Sequence, residues 1–203
     1  MSKYIWLLDP GHGGIISGAY QTRGKRSPPF PDGSILYEGV FNRDIATRIK
    51  TLCDADGIEC ENIINSEHDV PLATRVSRAN GRHAADRRCR YISIHANGWG
   101  DGVTFNSAHG ASLFHYMTSK TGKDMAAALL KHIVQETGLK SRGVQANMSW
   151  ANFYVLRNTS MPAILSENGF MTNLEEATNL MRDDFRQKIA IAHFKFIKEI
   201  ESS

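Results

Sequence analysis

The distribution of apolar and polar residues along the chain predicts short buried strands separated by amphipathic helices. Continuous apolar runs of strand length, bounded by glycine, proline or polar residues, are typical of strands buried on both faces. The predicted strands are 4–8, 58–64, 90–94, 111–117, 153–157 and 163–167. Longer stretches with apolar residues three to five positions apart predict helices. These are 38–56, 71–86, 121–137, a short helix starting at 173, and 184–199.

Alternation of strands and helices predicts an α/β fold, with a mostly parallel twisted sheet and helices on both faces. The chain has 203 residues, enough for one domain with a sizeable core but few for two. It contains no linker-like stretch and no repeat, so we expect a single domain over 1–203. The segments 15–37 and 141–151 are rich in glycine, proline or polar residues, and we expect them to be irregular.

Composition limits the classes of partner. Hydrophobic residues make up 41% and the formal net charge is +3, without a basic cluster, so no nucleic-acid partner is expected. No apolar run is long enough to span a membrane, and no export signal follows Met1, so we expect synthesis in the cytoplasm. The three cysteines lack metal-type spacing and are expected to be reduced and mostly buried.

Two predicted strands end in a histidine that is followed by small or turn residues. His12 follows the first strand within Pro10-Gly11-His12-Gly13-Gly14, and His95 follows 90–94. The carboxyl ends of parallel strands meet at one edge of a sheet, where ligands bind. A histidine beside glycines also occurs in turns without a ligand. The repeated pattern nevertheless indicates that both side chains face one metal ion.

Two glutamates complete the predicted site. Catalytic zinc sites commonly use two histidines and one carboxylate, leaving a fourth position open for water. Glu38 opens the first helix and can be that ligand, although the helix dipole favours an acidic residue there anyway. Glu167 follows three apolar residues, where burial is costly unless the group is paired or used. A capping or salt-bridge role for Glu167 remains open.

Several motifs, in order along essentially the whole chain, resemble those of the zinc-dependent N-acetylmuramoyl-L-alanine amidases. The motifs are Asp9-Pro10-Gly11-His12-Gly13-Gly14, Glu38 with Asn42, Leu72-x-x-Arg75-x-x-x-Ala79-Asn80, Ser93-Ile94-His95-Ala96-Asn97, Arg142-Gly143, and Val155-Leu156-Arg157 through Pro162-Ala163-Ile164-Leu165-Ser166-Glu167-Asn168-Gly169-Phe170-Met171-Thr172-Asn173. Because separate motifs agree in both sequence and order, the resemblance is specific.

The resemblance implies one zinc ion bound by His12, Glu38 and His95, with Glu167 as the catalytic carboxylate. The implied substrate is the amide between the lactyl group of N-acetylmuramic acid and L-alanine in peptidoglycan. Zinc would polarise the amide carbonyl and activate water, while Glu167 moves the water proton to the leaving amine. Four further positions are expected to shape the site or bind substrate: Arg75, Asn80, Asn97 and Arg157.

The chain also departs from the family's usual pattern. The segment between His12 and Glu38 is longer than is usual, so the rim of the cleft is expected to differ. Ser166 and Asn168 flank Glu167 where apolar or small residues are common, which affects how that carboxylate is oriented. We expect no separate wall-binding module and a monomer acting on peptidoglycan, with no membrane partner.

Two other functions remain open from the sequence. A zinc peptidase of the stem peptide would keep the metal site, with Arg142 or Arg157 gripping a substrate carboxylate. A wall-binding protein without catalysis is disfavoured because all three ligands and the base are present. The lack of an export signal favours a phage or prophage lysin, released to the wall by membrane permeabilisation or lysis of the producing cell.

Overall fold

A computed structural model describes residues 2–148 and 151–203, and its central element is a six-stranded sheet. The strands are β1 (Ile5–Pro10), β2 (Ile15–Ile16), β3 (Ala19–Tyr20), β4 (Cys60–Asn62), β5 (Cys89–Asn97), β6 (Ala111–Tyr116), β7 (Ser141–Asn147) and β8 (Ala163–Phe170). The helices are α1 (Glu38–Ala55), α2 (Leu72–Ala85), α3 (Lys120–Thr137), α4 (Tyr154–Asn158), α5 (Leu174–Met181) and α6 (Asp183–Ser202).

The order of strands in the sheet is β4-β1-β5-β8-β6-β7. Every neighbouring pair is parallel except β6 and β8, which are antiparallel. The predicted mostly parallel α/β sheet is therefore confirmed. Connections from β1 lead first to β4 on one side and then to β5 on the other. This reversal creates a crevice at the carboxyl ends of β1 and β5, the usual place for a ligand in such sheets.

Helices cover both faces of the sheet, as predicted. Alternate residues of β1 point to opposite faces: Trp6 and Leu8 pack in the core with α1, α3 and α6, whereas Ile5 and Leu7 pack with α2 and α4. All six residues of β1 are buried, which explains its continuous apolar run. Within the described residues, no helix combines the length and apolarity that crossing a membrane requires.

The prediction of a strand at 153–157 is wrong, because this stretch forms the helix α4. Val155 and Leu156 are buried against the second core cluster, so the apolar run reflects burial of one side of a short helix. A short apolar run fits either element, and its length did not distinguish them.

The prediction that 141–151 is irregular is also wrong for its first part, which forms β7. β7 is an edge strand that pairs with β6 alone, and its mostly polar or small residues gave no apolar run from which to predict it. The pairing shifts register between Ala111 and Leu113, opposite Gly143, whose φ of 88° lies in the left-handed region. Residues 149 and 150 lie outside the described part of the chain.

The segment 15–37 contains more regular structure than the sequence indicates. Ile15–Ile16 and Ala19–Tyr20 form a small antiparallel hairpin, and Arg26 forms an isolated bridge with Tyr37. The expected burial of the cysteines is confirmed, since Cys53, Cys60 and Cys89 are all free and buried.

Candidate metal centre and cleft

His12 lies immediately after β1 in a left-handed backbone conformation, with φ of 65°. Such a conformation is costly for a residue with a side chain and persists only where neighbouring bonds hold it. Gly11 is needed because a Cβ at this position would overlap the ring of His95. The glycines around His12 therefore allow the β1 turn and the His95 ring to approach each other closely.

A buried network holds the backbone of this turn. The guanidinium of Arg75 donates to Asp9 Oδ1 at 2.6 Å, to the carbonyl of Pro10 at 2.7 Å and to the carbonyl of His12 at 2.9 Å. Asp9 Oδ2 accepts from the hydroxyls of Tyr91 and Ser93 on β5. Since Arg75 and Asp9 are each about 1% exposed, the ion pair is buried and fully bonded, as a buried pair must be to be stable.

Two residues of α1 bind the same turn from the other side. Asn42 Nδ2 donates to the carbonyl of Gly11 at 3.1 Å. Arg43 Nη2 donates to the carbonyl of His12 at 2.9 Å, so that carbonyl accepts from two arginines. The position of His12 is thus fixed through its backbone, by side chains from two helices.

Glu38, in the first turn of α1, lies between the two histidines. Its Oε2 is 3.2 Å from His12 Nε2, and its Oε1 is 3.0 Å from His95 Nδ1. The backbone N–H of Ala96 also donates to Oε1, at 3.3 Å. Burial acts to raise the pKa of Glu38, but the hydrogen bonds with both histidines outweigh it and hold this pKa well below its usual value. Glu38 is therefore a carboxylate at neutral pH.

The three side chains form a group that fits a metal ion. Their candidate ligand atoms all lie within 4.8 Å of one another, and the rings of His12 and His95 are nearly perpendicular, at 87°. Two imidazole nitrogens and one carboxylate oxygen form a donor set that suits zinc and leaves a coordination position for water. The three residues that sequence patterns single out as ligands are thus brought together by β1, α1 and β5.

Glu167 lies on β8, directly opposite His95 in the register of β5 and β8. It is only 9% exposed, and its Oε2 has no hydrogen-bond partner among the described residues. Burial, followed by the negative charge of Glu38, raises the pKa of Glu167 well above its usual value, and Lys25 opposes this shift. A buried, unpaired carboxylate with a raised pKa is typical of a functional acid or base.

The polar residues beside Glu167 bond on the opposite face of β8. Ser166 Oγ lies 3.2 Å from His193 Nε2 on α6, and Asn168 Nδ2 donates to the carbonyl of His95 at 3.0 Å. Alternation along a strand then directs the side chain of Glu167 to the other face. Ser166 and Asn168 thus tie β8 to its neighbours, and Asn168 ties it directly to the strand that carries His95.

A cleft of about 440 Å³ opens at this edge of the sheet. It is lined by the three candidate ligands and Glu167, and by residues from the segments 24–26, 96–102, 153–155 and 171–172. Trp99 lies at its rim with 70% of its surface exposed. Its backbone is fixed by bonds with Thr172 Oγ1 and Asn106 Nδ2. The cleft therefore exposes the candidate metal centre and Glu167 to a ligand from solvent.

Comparison with known proteins assigns the family. The model of a family described as N-acetylmuramoyl-L-alanine amidase matches residues 7–199. The chain belongs to this amidase family. It is 32% identical to the endolysin of Bacillus phage SPP1, over 98% of this chain and 66% of the endolysin. It is 30% identical to the amidase LytC of Bacillus subtilis, over 92% of this chain and 33% of LytC. The chain thus spans between about a third and two thirds of these relatives.

Solved amidase structures share the fold. An N-acetylmuramoyl-L-alanine amidase of Clostridium difficile 630 superposes with a TM-score of 0.80 at 25% identity, covering 100% of this chain and 99% of that one. The catalytic domain of CwlV, an amidase of Bacillus (Paenibacillus) polymyxa, superposes with a TM-score of 0.75 at 26% identity, covering 97% of each chain. The α/β sheet described above is therefore the fold of amidase catalytic domains.

The other predicted site residues of this amidase-family chain lie in different places. Arg75 and Asn97 line the cleft. Asn80 instead binds the connection between α4 and β8, donating to Asn158 O at 2.9 Å and accepting from Ser160 N at 2.8 Å. The Arg157 side chain donates to Asn152 Oδ1 at 2.7 Å and lies outside the described lining of the cleft.

Sequence reasoning missed several residues that hold the site. Asp9 lies within a quoted motif, but its pairing with Arg75, 66 positions away in sequence, was not predicted. Tyr91 and Ser93 lie two residues apart on β5, so both face Asp9, and their hydroxyls at buried positions were the signal that could have found this network. Arg43 lies five residues beyond Glu38 on α1, a spacing that does not place the two on one helix face, so helical periodicity gave no signal for it.

Proposed function

We propose that this chain hydrolyses the amide between the lactyl group of N-acetylmuramic acid and L-alanine in bacterial peptidoglycan. One zinc ion, held by His12, Glu38 and His95, would be its cofactor. The observation that carries the proposal is the convergence of these three donors beside a buried, unpartnered carboxylate, Glu167, in a single cleft. Membership of the amidase family and the fold shared with amidase domains support the choice of bond.

A zinc ion bound at this site supplies a Lewis acid that polarises the amide carbonyl and makes water more acidic. Glu167 accepts a proton from the water molecule that attacks the carbonyl carbon. It then gives this proton to the nitrogen of L-alanine as the carbon–nitrogen bond breaks. The products are a lactyl carboxylic acid and a stem peptide with a free amine, so atoms and protons balance. Burial raises the pKa of Glu167, which strengthens its hold on the proton between the two steps.

Side chains around the two histidines keep the proposed metal ligands in position. Arg75, Asn42 and Arg43 fix the His12 turn, and Asn168 fixes the backbone of His95. Precise placement matters because metal ligands and proton-transfer groups lose efficiency when they are displaced by about 1 Å.

Product analysis tests this function. Purified peptidoglycan is incubated with zinc-loaded protein and with chelator-treated protein, and the products are identified by mass spectrometry. We expect stem peptides with an N-terminal L-alanine and glycan that retains the lactyl group, from the zinc-loaded sample alone. Peptides cut internally would indicate a peptidase instead. Bound but uncut peptidoglycan would indicate a wall-binding protein. Metal analysis of the loaded sample should give one zinc per chain.

We further propose that the chain acts as a phage or prophage lysin, made in the cytoplasm and active on the wall after release. Its similarity to a phage endolysin supports this proposal. Sensitive cells that express the chain should stay intact until their membrane is permeabilised, and turbidity should then fall. Lysis without permeabilisation, or a leader peptide upstream of Met1 in the full reading frame, would contradict this proposal.

A further inference from the structure

Lys25 and Arg26 form a cationic rim at one side of the cleft. We propose that this rim binds a free carboxylate of the stem peptide, so that the chain favours peptidoglycan with an anionic peptide near the bond to be cut. The inference rests on the proposed amidase function and adds a specificity site to it. Neither residue was predicted as a site residue from the sequence.

The position of the rim is the first support. Lys25 and Arg26 line the same cleft as Glu167 and the candidate metal ligands. Both are exposed, and neither side chain has a hydrogen bond or an ion pair with any described residue. The ammonium of Lys25 is close enough to Glu167 to act on that carboxyl. These two positive charges are therefore available to a ligand in the cleft.

Apart from Glu167, the other charged side chains that line the cleft have partners within the fold. The remaining arginine, Arg75, is paired with Asp9. Asp69 accepts a hydrogen bond from Thr22 Oγ1 at 2.7 Å, and Asp101 accepts from the backbone N–H of Val103 at 2.9 Å. Unlike these groups, Lys25 and Arg26 carry positive charges that no described side chain pairs with.

The backbone of the rim is held rigidly beside the metal centre. The carbonyl of Lys25 accepts from the backbone N–H of Glu38 at 3.0 Å, and Arg26 forms a bridge with Tyr37. The next residue, Ser27, is buried and bonds with Leu36 through both its backbone N–H and its hydroxyl, at 2.8 and 3.0 Å. Binding a ligand therefore requires ordering of two side chains but not of the loop backbone, which lowers the entropic cost.

The chemistry of the substrate identifies the ligand as part of the peptide. The lactyl carboxyl of the glycan is consumed in the amide to be cut, so the sugar carries no charge there. The stem peptide carries carboxylates, and the first one beyond L-alanine is the α-carboxylate of a γ-linked D-glutamate. Amidation of that group to D-isoglutamine removes the charge. Arginine and lysine bind carboxylates through charge-assisted hydrogen bonds, which a neutral amide does not match.

Two muropeptides test the proposal. Both are N-acetylmuramoyl tripeptides ending in L-lysine, and they differ only in the second residue, D-glutamate or D-isoglutamine. We expect the zinc-loaded protein to prefer the free acid by about three- to tenfold in kcat/KM, mainly through KM, as for partly exposed charge-assisted bonds. The Lys25→Gln/Arg26→Gln double variant should lose most of this preference. Because the rim is exposed, the preference should also shrink as salt is raised.

Arg23→Gln is the matched control. Arg23 is an exposed cation of the same segment, but it does not line the cleft. This variant should retain the preference of the unmodified protein. Equal turnover of the two muropeptides by the unmodified protein would overturn the proposal. So would a double variant that prefers the free acid as strongly as the unmodified protein does.

The same samples separate failure of the rim from failure of the amidase function. If neither muropeptide is hydrolysed, the proposed function fails for these substrates, and calorimetric binding of both muropeptides still tests the rim. Tighter binding of the free acid that disappears in the double variant would support a carboxylate site independently of catalysis. Equal binding in every variant would refute it.

Discussion

The two buried glutamates of the cleft, Glu38 and Glu167, are held in opposite ways. Glu38 is bonded to His12, His95 and the backbone of Ala96, and these bonds keep it ionised. Glu167 is also buried, but its Oε2 has no partner among the described residues, and its pKa is raised. The difference matches two tasks. A metal ligand must stay charged and fixed, whereas a proton carrier must change its charge.

The surroundings show the same contrast. On the β1 side, the carbonyl of His12 accepts from Arg43 and Arg75, and Arg75 is itself paired with Asp9. On the β8 side, bonds are made by Ser166 and Asn168 on the face away from Glu167. The fold therefore fixes the backbone on both sides but leaves the Glu167 side chain free to meet substrate.

Removing the fixed carboxylate should have the largest effect. Glu38→Ala removes one of the three proposed metal donors, and with it the carboxylate that bonds both histidines. We expect zinc content to fall from one per chain towards zero, and hydrolysis to fall to that of chelated protein, as measured by metal analysis and product release. Glu59→Ala, which removes an exposed partner of Arg88, should change neither. Full activity in Glu38→Ala would show that Glu38 is not a ligand.

Arg75→Gln should weaken the hydrogen-bond network that holds the His12 turn, without removing a proposed metal ligand. It leaves Asp9 buried without its cation, so we expect a loss of about 3–5 kcal/mol in the free energy of unfolding. We also expect a loss of about 10- to 100-fold in zinc affinity, because the His12 turn is less well held. Denaturant unfolding and competition with a zinc chelator measure the two effects.

A matched change on the same helix is Arg78→Gln. Among the described residues, the exposed Arg78 side chain bonds to the carbonyl of Ile63 alone. The free energy of unfolding of this variant should fall by less than about 1 kcal/mol, and its zinc affinity should be unchanged. Equal effects of the two substitutions would contradict the role given to the Arg75 network.

Much of the site follows from the sequence, because residues at the carboxyl ends of parallel strands share one edge of the sheet. This reasoning places His12, His95 and Glu167 together. The supporting network does not follow, since Asp9 and Arg75 are far apart in sequence and their pairing depends on how α2 packs. The error at α4 has a different cause: a short apolar run is buried in either a helix or a strand.

The β8 side should show a smaller, pH-dependent effect through His193. This fully buried histidine bonds with Ser166 Oγ and with the carbonyl of Ile189. Burial lowers the pKa of His193 to about 4, despite the opposing bond to Ile189. The unfolded chain binds the proton with a pKa of about 6.5, so stability is present above that pH and is lost as pH falls towards 4.

His193→Gln should therefore remove part of the acid sensitivity. As the pH falls from about 6.5 to 4, the free energy of unfolding of the unmodified protein should fall by up to about 3 kcal/mol more than that of the variant. Denaturant unfolding at several pH values measures this difference. His68 is exposed, so the unfolding free energy of His68→Gln should change with pH as steeply as that of the unmodified protein. Parallel slopes for His193→Gln and the unmodified protein would mean that His193 does not cause the effect.

The most direct test of the central contrast is a joint measurement of zinc content, stability and hydrolysis in Glu167→Gln. We expect one zinc per chain and an unfolding free energy no lower than that of the unmodified protein, because no hydrogen bond to Oε2 is lost. Hydrolysis of peptidoglycan should fall by about 10²- to 10⁴-fold, the contribution typical of a general base. Loss of zinc, or retention of hydrolysis with zinc bound, would contradict the separation of the fixed ligand Glu38 from the proton carrier Glu167.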